Sequence, residues 1–162
     1  MAANFKLEKL IWDENDFDKM GWHDSKIYAI AFKDEKFEFV LDIDYILEWI
    51  HGEGNESKFK FWVSPSTLVF KNVWDLNFSL TTNLDLEIQD IHRSNPLPAK
   101  NSKHIAEPLE YDWVIETNSG DITFKSVGYK QHFRMAPILS NSQRINLLQR
   151  GGICFDVIEK TN

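Results

Sequence analysis

Residues 22–49, WHDSKIYAIAFKDEKFEFVLDIDYILEW, constrain the fold more than any other stretch, because they read as two β-rich runs around one polar turn. Residues 27–32 and 37–43 are dense in aromatic and branched side chains, and Lys33-Asp34-Glu35-Lys36 between them is too short and too polar for anything but a reversal. Antiparallel pairing that sets Phe32 opposite Phe37, Ile30 opposite Phe39 and Tyr28 opposite Leu41 gathers the large apolar residues on one face, the expected core face. The other face then carries His23, Ser25, Ile27, Ala29 and Ala31 on the first strand and Glu38, Val40, Asp42, Asp44 and Ile46 on the second. In that register Asp42 lies across from Ile27, Asp44 across from Ser25, and His23 on the diagonal from Asp44.

Aspartate is disfavoured in strands, so two of them at i and i+2, about 7 Å apart by strand rise, call for a physical reason. One reason is a ligand or partner site made by His23, Asp24, Asp42 and Asp44, in which a metal ion or a basic side chain offsets the repulsion between the carboxylates. The competing reason is a solvated outer face, with Trp22-His23-Asp24 forming a corner in which His23 bonds to backbone. His132 and Arg134 flank Phe133 on the most basic strand face of the chain and join the candidates, being suited to acid–base or anion-binding work. Asp90 and His92 form a similar pair. The sequence holds no HExxH, no CxxC and no calcium loop, and it lacks phosphate loops and nucleophile elbows, so no cofactor is expected and no metal is specified.

The rest of the chain keeps the same rhythm of short alternating runs and turns. A strand near residues 7–12, runs at 59–63, 67–73, 76–80 and 84–88, a hairpin through Asn118-Ser119-Gly120, and runs at 129–135 and 153–158 give about ten strands. Pro65 is expected to interrupt one of them. Residues 93–108, with Pro96, Pro98 and Pro108, read as a long surface loop or flap, and Ser140 or Asn141 is placed to cap a short helix through Gln149. The expected fold is a single antiparallel all-β domain with one short C-terminal helix; sandwich and half-open barrel stay open as alternatives.

At 162 residues the chain has one-domain length, and 12 Phe and 6 Trp supply a large core without disulfides. Its single cysteine, Cys154, is expected to act as a small buried hydrophobe. Lys and Arg number 18 against 25 Asp and Glu, a formal charge of −7, with no basic block, so nucleic acid is not an expected partner whereas a basic protein is. No apolar run reaches signal-peptide or membrane-spanning length, which makes the cytoplasm the expected location.

Trp22-His23-Asp24-Ser25, Leu41-Asp42-Ile43-Asp44-Tyr45-Ile46, Phe61-Trp62-Val63-Ser64-Pro65 and Arg150-Gly151-Gly152-Ile153 resemble motifs of a family of small uncharacterised bacterial proteins. The resemblance covers most of the chain and implies a bacterial cytoplasmic setting and a single domain, but no activity. The leading functional expectation is a binding protein for a basic protein, comparable in size and charge to acidic immunity proteins. The alternatives are a small-ligand binder with an aromatic cavity beneath the 93–108 flap, and a hydrolase using His23 with Asp42 and Asp44.

Overall fold

The computed structural model describes residues 4–55, 58–100, 103–104 and 109–159. Among the described residues ten strands form one antiparallel sheet: β1 (Ile11–Asp13), β2 (Ser25–Lys33), β3 (Glu38–Ile50), β4 (Lys60–Lys71), β5 (Trp74–Leu80), β6 (Leu86–Pro98), β7 (Leu109–Thr117), β8 (Gly120–Ser126), β9 (Gly128–Phe133) and β10 (Ile138–Ser140). Their order is β1-β9-β4-β3-β2-β6-β7-β8-β5, with β10 pairing the start of β4. The all-β antiparallel expectation holds, and no helix among the described residues is long and apolar enough to cross a membrane.

The sheet rolls over on itself without closing. Phe39 on β3 meets Phe124 on β8 with ring centroids 5.5 Å apart, and Phe70 on β4 meets Trp113 on β7 at 5.3 Å, although neither pair of strands is adjacent. A half-open barrel follows, filled by Trp22, Phe39, Leu41, Ile43, Tyr45, Phe70, Trp113, Tyr129 and Phe133 among others. Each fully buried side chain of this kind contributes about 1.5–3 kcal/mol of hydrophobic stabilisation. The polar ends of the indoles are satisfied inside: Trp22 Nε1 donates to Gln131 Oε1 at 2.8 Å and Trp113 Nε1 to the Ser126 carbonyl at 3.0 Å.

The hairpin forms with a register two residues from the expected one. Phe32 pairs with Phe39, Ile30 with Leu41 and Lys33 with Glu38, because the reversal is a 3-10 turn over Asp34–Lys36 closed by Phe37 in the left-handed region at φ 55°. An even shift preserves the faces, so Phe39, Leu41, Ile43 and Tyr45 point into the core as expected, while Phe32 and Phe37 at the tip are exposed. A β-bulge between Ile27 and Ala29 then reverses the pattern on β2. It sends Ile27 into the core and Tyr28 to the outer face, the opposite of the sequence reading.

Other expectations are corrected. Pro65 does not interrupt β4: its carbonyl accepts from Arg134 N at 3.0 Å, and the donor it lacks would face the same side, where the neighbour of β4 changes from β10 to β9. Residues 93–98 of the supposed flap extend β6, whereas 101–102 and 105–108 lie outside the described residues. Residues 141–149 form no helix and 153–158 no strand; they make an irregular strap, with Cys154 half-buried in it.

Candidate functional site

The strap, residues 141–158, covers the outer face of β2, β3, β4 and β9. Ile145 is its apolar anchor, packed with Ile46, Phe61, Val63 and Ile138. Beyond it the backbone turns: Arg150 N donates to Asn146 O and Gly152 N to Leu147 O, and Gly151 and Gly152 adopt φ 82° and 77°. That turn points the Arg150 side chain at β3.

Arg150 is enclosed between Asp42 and Asp44. Its Nη1 and Nη2 grip Asp42 Oδ2 and Oδ1 at 2.8 and 2.7 Å, a two-pronged pair, and Nε donates to Asp44 Oδ1 at 3.0 Å. The remaining donors reach the carbonyls of Gly152 at 2.6 Å and Ile43 at 3.4 Å. Asp42 also accepts from Arg134 Nη2 at 2.7 Å and Cys154 N at 3.0 Å, and Asp44 from Tyr28 Oη at 3.1 Å and Ile145 N at 2.7 Å. The Tyr28 ring lies 3.9 Å from the guanidinium carbon of Arg150. Two carboxylates and two guanidinium groups make the cluster neutral, and Asp42, Asp44 and the Arg150 side chain are fully buried.

The electrostatics follow from that enclosure. Burial by itself would lower the Arg150 pKa, but Asp42 and Asp44 outweigh it and raise the value above the ordinary one. Tyr28 is raised far above a normal phenol, by burial first and by the Asp44 charge second. Every carboxylate oxygen of Asp42 and Asp44 already accepts from protein donors, so what the cluster does is lock the strap to the sheet.

His23 and Asp24 do not join the cluster. The His23 ring is exposed, stacks on Trp49 at 6.3 Å and donates through Nδ1 to the Gln89 carbonyl at 3.0 Å, which is the corner arrangement. Asp24, at φ 63°, accepts from Gln143 Nε2 at 2.7 Å. Of the six candidates, the structure gathers Asp42, Asp44 and Arg134 in one network and sets His132 on the same face, where its Nδ1 accepts from Ile158 N at 3.1 Å near the end of the strap.

Burial, then Lys130 and Lys33, push the His132 pKa below its ordinary 6.5. Near and below pH 6.5 the unfolded chain therefore binds more protons than the folded one, and stability falls as pH drops from 6.5 towards the folded value. Urea unfolding between pH 7.5 and 5 is expected to show this loss, and His132→Gln to flatten it. An unchanged slope in the variant rejects His132 as its source.

Arg150 and Tyr28 were the residues that strand alternation missed. The available signal was the pair of strand aspartates itself, which needs cations from elsewhere, together with an arginine set before two glycines. No protein-family model matches this chain, nor does any curated protein or solved structure.

Proposed function

We propose that this protein binds a basic protein partner on the outer face of β6, β7 and β8, in a bacterial cytoplasm. One observation carries the reading: Asp90, Glu116 and Asp121 stand directly opposite one another across the three strands, all exposed. Like charges paired across strands destabilise a sheet, and among the described residues His92, whose Nε2 lies 2.8 Å from Glu116 and 3.6 Å from Asp90, is the one cationic side chain in an ion pair with them. Two rows along the same face, Asp112 is already neutralised by Lys125 and Asn95. A cationic partner surface relieves the repulsion, and the overall charge of −7 steers it in.

The test is the triple variant Asp90→Asn/Glu116→Gln/Asp121→Asn, used beside the wild type as bait in one cell extract. The variant is expected to be more stable by up to about 1 kcal/mol, since two like-charge pairs are removed. It is also expected to lose a basic protein that the wild type retains at low salt. Identical bound proteins on the two baits, or a less stable variant, sinks the reading.

A small-ligand reading has one observation in its favour. A cavity of about 280 Å³ opens at the mouth of the barrel among Leu7, Trp12, Met20, Tyr45, Leu47 and Phe133. It lies under the N-terminal segment, and none of residues 93–100 is in its lining.

A further inference from the structure

Beside the end of the strap, on the outer face, a second cavity of about 260 Å³ has Val69 in its lining and is surrounded by Lys33, Lys36, Lys71, Lys130 and His132. These residues come from β2, the hairpin turn, β4 and β9, so the rolled sheet, not a local run of sequence, brings the charges together. In a chain of net charge −7 this is a concentration of the opposite sign. Among the described residues no ion pair holds Lys33, Lys36 or Lys130, whereas Lys71 lies 3.6 Å from Glu14. Glu38 is the one carboxylate in the lining.

We propose that this cavity is a binding site for a phosphate-class oxyanion, either free phosphate or the phosphate group of a small molecule. Three ammonium groups without a pair, set against one carboxylate, leave two net positive charges, which matches a dianion better than a carboxylate ligand. His132 supplies a directional donor. It is 6% exposed and lines the cavity, and because its Nδ1 accepts from Ile158 N the ring proton sits on Nε2, which has no hydrogen-bond partner among the described residues. Burial first, and the Lys130 and Lys33 charges after it, hold the proton affinity of His132 down. Lysines serve here as point charges, and the apolar floor of Val69 and Val157 lowers the local dielectric that an anion would feel.

The experiment follows the His132 imidazole signals by NMR while inorganic phosphate is added at fixed pH and constant ionic strength made up with chloride. A saturable shift is expected, with affinity lowered at least tenfold in Lys33→Gln/Lys130→Gln and raised severalfold in Glu38→Gln. The Lys19→Gln control, remote from the cavity, is expected to bind as the wild type does. Methyl phosphate in a parallel titration separates the sources: tighter binding than phosphate assigns the site to a phosphorylated small molecule, and weaker binding to the free ion. No saturable response to either anion overturns the proposal, and so does equal affinity in the double variant. Because Glu38→Gln must move affinity in the opposite direction, a folding defect in the double variant cannot stand in for a positive result.

Discussion

Arg150→Met is expected to cost about 3–5 kcal/mol, the range for removing one partner of a buried ion pair. The reason is what stays behind. Asp42 keeps Arg134 and the Cys154 amide, and Asp44 keeps Tyr28 and the Ile145 amide, but two fully buried carboxylates then face a single guanidinium. Methionine fills much of the space without supplying a donor, so the loss is electrostatic more than steric. Removing the stranded charge as well, in Arg150→Met/Asp44→Asn, which leaves the Asp42–Arg134 pair neutral, is expected to recover a substantial part of the loss. Urea denaturation of the three proteins at pH 7 reads the difference. A cost below about 1 kcal/mol for the single variant, or no recovery in the double, would show that the network does not hold the strap.

The same network marks where sequence reasoning reaches and where it stops. Alternation of apolar and polar residues is a local property, so the core face of β3, from Phe39 to Tyr45, was legible residue by residue. The bulge at Tyr28 was not, because one unpaired residue leaves no trace in the composition of a strand, yet it turns Tyr28 towards Asp44 and Ile27 towards the core. Asp42 and Asp44 stood out as anomalous strand residues, but their principal partner lies more than a hundred positions along the chain. The helix expected up to Gln149 fails for a related reason. The Ile145 amide, which a helix would use internally, donates to Asp44 instead, and Leu148, which would share a helix face with Ile145, is almost wholly exposed. Arg134 and His132 were legible as a polar strand face; that the face was the one already holding the aspartates depended on β9 pairing with β4, which only the rolled sheet decides.

Phe39→Ala is expected to cost about 3–5 kcal/mol, and Phe32→Ala, its cross-strand neighbour on the same face, less than about 1 kcal/mol. Sequence parity treats the two rings as equivalent, and the structure does not. Phe39 is 1% exposed and packs against Phe70 at 6.3 Å, Phe124 at 5.5 Å and Phe78 at 5.9 Å, so its removal opens a cavity lined by rings fixed on three strands. Phe32 is 62% exposed at the hairpin tip, where the rolled sheet has not closed over it, and its loss leaves space that water already reaches. Thermal and urea unfolding of both variants decides the matter. Equal losses at the two positions would mean that the barrel closes around the hairpin tip in solution, and would reject the half-open arrangement.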